Sequence, residues 1–142
     1  MPSCSSRCLA VARLAYDRGW TSPDFQPMST IFHKIIRREI PADIVFEDEY
    51  VIAFRDIAPQ APVHVLFVPK VDIATLNDVQ PSQAEIVGRL AIAAADYAKQ
   101  QGFAEDGYRI VMNCNGDGGQ TVFQIHLHLL AGTALGRFGT PK

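Results

Sequence analysis

Apolar and polar positions change period along this chain. In "STIFHKIIRREIP", Phe32, Ile35 and Ile36 form one stripe of a short helix, which Ser29 or Thr30 can cap and Pro41 stops. Three runs rich in β-branched and aromatic residues follow: "DIVFED", "YVIAFRD" and "VHVLFVPK". Glu47, Asp48 and Glu49 turn between the first two, and "IAPQAP" between the second and third. "PSQAEIVGRLAIAAADYAKQQG" has helical period. Pro81 starts it, Glu85 supports the first turn, Ile86, Leu90, Ala93 or Ala94 and Tyr97 make the apolar face, and Gly102 ends it. "YRIVMNC" and, past a glycine loop, "TVFQIHLHLLAG" read as two further strands. Five strands in nearly sequential hairpin order with one helical excursion predict an α+β domain on a five-stranded antiparallel sheet, with one long and one short helix.

The last run carries the candidate chemistry. On a strand, Gln124, His126 and His128 share one face, and Phe123, Ile125, Leu127 and Leu129 share the other. On a helix the same spacing would wrap the apolar residues all the way round. The bland alternative is a pair of core or edge histidines satisfied by backbone groups. Two of the four histidines of the chain on one face behind a glycine loop favour a working pair instead.

Composition narrows the classes. The 142 residues suit one domain with a real core, and 48% hydrophobic with 20% charged residues is ordinary for a soluble globule. Thirteen basic against fifteen acidic residues leave a formal charge of −2, which argues against bulk nucleic-acid or membrane-surface binding. No apolar run approaches the ~20 residues needed to span a bilayer. Cys4, Cys8 and Cys114 form neither a zinc knuckle nor a disulfide framework, so a reducing cytoplasm is the expected compartment. Residues 1–27 read as an extension outside the fold, with Met28 a possible original start and the domain spanning 28–142. Arg13 interrupts the one stretch resembling a signal peptide, and mitochondrial import through the extension is the weaker alternative.

The segments from Ser29 to Lys70, "YRIVMN" and "GDGGQTVFQIHLHLLAG" together resemble the histidine triad superfamily, specifically its Hint branch of purine-nucleotide phosphoramidases. The likeness runs from about Ser29 to Gly132, with several separated motifs in matching order and spacing. It implies binding of nucleoside 5′-monophosphates such as AMP or GMP, and hydrolysis of phosphoramidates and aminoacyl-adenylates through a nucleotidyl-histidine. It also implies a homodimer whose two sheets join, and no metal or other cofactor. By this resemblance His126 is the nucleophile, His128 the third triad member and His64 a further family histidine. Gln124 stands where the first triad histidine is expected, either as a weakened proton-relay member or as a hydrogen-bonding spacer. Asp56 matches the ribose-binding aspartate, with a cap on the turn toward Pro59 as the weaker alternative. Phe32, Ile35, Phe54 and Ile57 match the apolar slot around the purine, and would also serve as plain core. Asn113, Gly119, Gln120 and Thr121 match the polar contacts on the phosphate side. Lys70 reads as a surface strand end and His33 as a solvated helix residue, and the tail "TALGRFGTPK" departs from the tryptophan-containing tail of the branch.

The chemistry also stands on general grounds. An imidazole with a reference pKa of about 6.5 is largely unprotonated at neutral pH and can attack phosphorus, splitting one hard displacement into two. Its second nitrogen must be held by an acceptor so that the attacking one carries a lone pair. His128 can donate to a phosphate oxygen or the leaving group, the glycine loop offers main-chain N–H groups, and Thr121 adds a hydroxyl. Two rival readings are a zinc protein built on His64, His126 and His128, and a binding-only or scaffold dimer that lost turnover through Gln124.

Overall fold

The computed structural model describes residues 29–141, so the expectation for an extension over 1–27, with Cys4, Cys8 and Met28, lies outside the described residues. Helix α1 spans Ile31–Ile36. Thr30 caps it, and His33 closes a capping box by accepting the Thr30 N–H at its Nδ1. His33 is therefore not simply solvated: its Nε2 lies 3.0 Å from Asp72 Oδ1, which ties the start of α1 to the chain beyond the third strand.

Strands β1 (Ile44–Glu47), β2 (Val51–Arg55) and β3 (Val63–Pro69) follow in hairpin order. Asp48 Oδ1 accepts from the N–H groups of Tyr50 and Val51 and makes the first turn. Lys70, at the exit of β3, is held by Glu47 at 2.9 Å. Two short 3₁₀ turns, Leu76–Asp78 and Pro81–Gln83, lead into α2 (Ala84–Gln101), which ends at Gly102 with a φ of 86°. After β4 (Arg109–Val111) comes the one-turn helix α3 (Asn115–Gly118), then β5 (Leu127–Ala131). The sheet is antiparallel in the order β1-β2-β3-β5-β4, which leaves β1 and β4 at its edges.

Strand alternation sorts the sheet into two apolar layers. Val51, Ala53, Val65, Phe67, Leu127 and Leu129 pack with Leu90, Ala93, Ala94 and Tyr97 of α2. Ile52, Phe54, Leu66 and Val68 face the other way, against Phe32 and Ile35 of α1. Each fully buried aliphatic or aromatic side chain contributes about 1.5–3 kcal/mol, so α2 and α1 are both held by packing more than by propensity. The α1 layer is the thinner one, and the histidines emerge at its border.

The histidine strand is shorter than its alternation predicts. It begins at Leu127, and Gln124 and His126 lie in the segment ahead of it. The ladder with β3 ends at the Phe67 and Leu127 pair, and β4 reaches only to His128. Residues ahead of Leu127 therefore have no ladder partner, although β3 runs on to Pro69, and the alternation survives as burial: Ile125, Leu127 and Leu129 all enter the α2 layer.

Candidate active site

Register brings His64 and His128 together. Leu66 pairs with His128 and His64 with Leu130 across β3 and β5, so the two histidines are diagonal neighbours on the α1 face. His64 Nε2 lies 2.9 Å from His128 Nδ1. His126, buried two residues earlier, packs its ring 5.0 Å from that of His128 and edge-on to Phe32 at 4.9 Å. Phe32 in turn meets Phe54 at 5.4 Å, so the apolar wall and the imidazoles are one packed unit.

Main-chain groups set the tautomers from both ends. The Gln60 N–H donates to His64 Nδ1 at 3.1 Å, so neutral His64 carries its proton on Nε2 and donates it to His128 Nδ1. His128, accepting at Nδ1, then holds its own proton on Nε2. At the other end His126 Nδ1 lies 2.8 Å from the Gln124 carbonyl oxygen. A carbonyl can only accept, so His126 is protonated at Nδ1 and has a lone pair on Nε2. The arrangement offers one imidazole as nucleophile and its neighbour as proton donor.

Burial favours the neutral form of all three rings. Desolvation is the first cause lowering the pKa of His126, against the Gln124 carbonyl hydrogen bond and then Asp56, and of His64, against Asp56. His128 is lowered furthest, to about 4, by burial and then by the like charges His126 and His64 would carry.

Asp56 stands beside this group with Oδ2 3.4 Å from His64 Nε2. The turn-capping reading of Asp56 is realised, since Oδ1 accepts from the Ala58 N–H at 2.8 Å and makes the turn toward Pro59. Among the described residues, the donors that gather closely enough to grip a cation are those of Asp56, His64 and His128, all within 4.8 Å of one another. That set has Asp56 where the zinc alternative expected His126.

The glycine loop folds back on itself as α3. Gly119, at a φ of 89°, donates its N–H to the Gly116 carbonyl, and the Gln120 N–H goes to Asn115. Gln120 is buried, and its amide accepts from the Asn115 N–H and donates to the carbonyls of Ala74 and Val122. It shapes the loop, with its hydrogen-bonding groups taken up by main chain. Asn113 lies half-buried behind Gly118 and Gly119, whereas Thr121 is exposed. Thr121 lines a groove of about 580 Å³ with Ser29, Thr30, Ile31, Asp72, Ala74, Val122 and Phe123. That volume suits a small ligand. Ile31 and Val122 were not singled out from the sequence. Ile31, one residue before Phe32 on α1, is 47% exposed. Ile57 stands apart from the packed wall at 95% exposure.

A HIT domain matches residues 37–135, which contain three of the four histidines and most of the described fold. The chain belongs to the HIT family. A purine nucleoside phosphoramidase of Escherichia coli (strain K12) is 57% identical to this HIT protein over 107 residues, 75% of this chain and 90% of the relative. Among solved structures, a HIT family hydrolase from Legionella pneumophila Philadelphia 1 has a TM-score of 0.72 at 51% identity, covering 73% of this chain and 93% of that one. A HIT family hydrolase from Clostridium thermocellum has a TM-score of 0.76 at 45% identity, covering 81% of this chain and all 100% of the other. The five-stranded antiparallel sheet with one long helix is the fold expected for the family.

Proposed function

We propose that this HIT protein hydrolyses purine nucleoside 5′-phosphoramidates or aminoacyl-adenylates to the nucleoside monophosphate, through a nucleotidyl intermediate on His126. The observation that carries the reading is the 2.8 Å contact between His126 Nδ1 and the Gln124 carbonyl, which leaves Nε2 as the one free lone pair in a buried, neutral ring. The likeness to the phosphoramidase of Escherichia coli supports the substrate class.

In the first step His126 Nε2 forms a bond to phosphorus as the bond from phosphorus to the leaving amine nitrogen or aminoacyl carboxylate oxygen breaks. The His64–His128 pair takes up one proton from solvent as the substrate binds, and the His128 Nε2 proton then passes to a leaving amine, leaving both rings neutral. In the second step water attacks phosphorus, the phosphorus bond to His126 breaks, and the proton taken from water restores the histidine pair. Phe32, Ile35 and Phe54 wall the base, and covering exposed Ile57 with a purine removes apolar surface from water. Asp56 faces the ribose, while Asn113, Gly119 and Thr121 border the phosphate and Gln120 holds their loop.

The protein acts as a homodimer in this reading. β4 has a partner on one side only and leaves Ile110 42% exposed, and α2 leaves Ile92 63% exposed. A two-fold pairing of β4 with its mate would cover both.

The test is single-turnover hydrolysis of an adenosine 5′-phosphoramidate by wild type and His126→Ala, with AMP affinity measured beside it. Loss of turnover at retained affinity supports the mechanism. An equal rate in the variant ends it.

A further inference from the structure

The amide of Gln124 is fully buried, and all of its hydrogen-bonding groups are used, none of them on the other triad side chains. Its Oε1 accepts from the Ile73 N–H at 3.0 Å, and its Nε2 donates to the carbonyls of Pro69 at 3.0 Å and Val71 at 2.7 Å. The same stretch returns one further bond: the Ile125 N–H donates to the Ile73 carbonyl at 2.8 Å. We propose that Gln124 is a positioning residue whose side-chain amide clamps the Pro69–Ile73 segment and thereby aims its own carbonyl at His126.

The geometry forms a closed circuit. The peptide unit joining Gln124 to Ile125 is planar, so its N–H and C=O point to opposite edges. Ile73 pins the N–H edge, and the opposite edge carries the carbonyl that accepts from His126 Nδ1. Ile73 is itself held by the Gln124 side chain. No strand pairs with this segment, because the ladder between β3 and β5 stops at Leu127. The amide thus supplies the contacts that a continued ladder would have made. The clamped stretch also carries Asp72, the partner of His33 in α1, and the next residue before His33 is Phe32 against the His126 ring. One residue thereby holds both the acceptor and the wall of the nucleophile.

Glutamine suits this task better than the histidine expected there. An imidazole offers two ring nitrogens and serves at most two of the three main-chain groups that the amide satisfies. Restoring histidine would leave one of them unpaired, with no gain of a proton-relay group, because the side chain at this position faces main chain.

This inference rests on His126 being the nucleophile, and its test separates the two. Long-range proton–nitrogen NMR of the full chain reads the His126 tautomer without any substrate. Wild type should show the proton on Nδ1 alone, and Gln124→Met, which keeps length but loses all three bonds, should show a mixture. Single-turnover rate should fall about 10²-fold in Gln124→Met, the scale for a misoriented reacting group, with AMP affinity within a few-fold of wild type. Gln124→His should turn over no faster than wild type. Gln124→Glu, whose carboxylate confronts two carbonyls, should be slow at neutral pH and recover as the pH is lowered and the acid becomes a donor. A pure Nδ1 tautomer and unchanged rate in Gln124→Met would overturn the proposal, as would a faster Gln124→His. If wild type shows no hydrolysis while the tautomer shifts as described, the clamp stands and the activity reading falls.

Discussion

His64 and His128 share a single proton across 2.9 Å, with the His64 ring oriented by the Gln60 N–H. His128 is left with its own proton on Nε2, the form that can donate to a substrate. Removing His64 should therefore disable His128 without touching the nucleophile. His64→Ala is expected to slow the chemical step by about 10²-fold, the contribution of one acid–base participant, while AMP affinity changes far less. Single-turnover kinetics beside equilibrium binding checks this. A rate equal to wild type would show that the pair is structural.

Acid stability should follow the buried imidazoles. The pKa of His128 is pushed down to about 4 in the folded chain, against an ordinary value of about 6.5 when unfolded. Between those values the unfolded chain takes up a proton that the folded chain refuses. Stability is thus fully present above about pH 6.5, falls as the pH drops toward about 4, and levels off for this group below that. Urea titrations from pH 7 to pH 4 should show the fall, and His128→Asn should flatten it. An equal slope in that variant would place the acid sensitivity elsewhere.

The join between β5 and the loop before β3 is intolerant of a side chain. Gly132 has a φ of 95°, and a Cβ there would meet Pro62 Cβ at 2.8 Å. Gly132→Ala combines left-handed strain with a clash and should cost about 1–3 kcal/mol, visible as a lowered Tm. Gly136→Ala, with nothing within 4 Å, is the control and should leave Tm nearly unchanged. Equal melting of the two would contradict the packing at Pro62.

The dimer predicted from the β4 edge can be broken at one residue. Ile110→Lys puts a charge on the half-exposed face of that edge and on its two-fold mate at once. Sedimentation at micromolar concentration should give a dimer for wild type and a species of about half the mass for the variant. A monomeric wild type would remove the proposed interface.

Much of this molecule was decided by local pattern. Alternation in "VHVLFVPK" places His64 and Leu66 on one face and Val65 and Phe67 on the other, because side-chain direction in a strand depends on nothing beyond the strand itself. The helical stripe of α2, its start near Pro81 and its stop at Gly102 were legible for the same reason. So was a cap at Ser29 or Thr30, of which the fold uses Thr30. The family motifs marked His64, His126 and His128 as a group before any distance was known.

What only the tertiary structure decided is where hydrogen-bonding capacity is spent. Alternation gave Gln124 the face of His126 and His128, yet whether a strand lies beside it depends on how far β3 and β4 run. The ladders of β3 and β4 with β5 both stop short, and the amide turns to main chain 53 residues away in the sequence at Val71. Gln120 likewise serves its own loop, and His33 a carboxylate 39 residues distant. A glutamine or histidine carries the same donors and acceptors in any sequence context. Which of them reach a ligand and which are consumed holding the chain is set by partners brought close by folding, and periodicity holds no record of those.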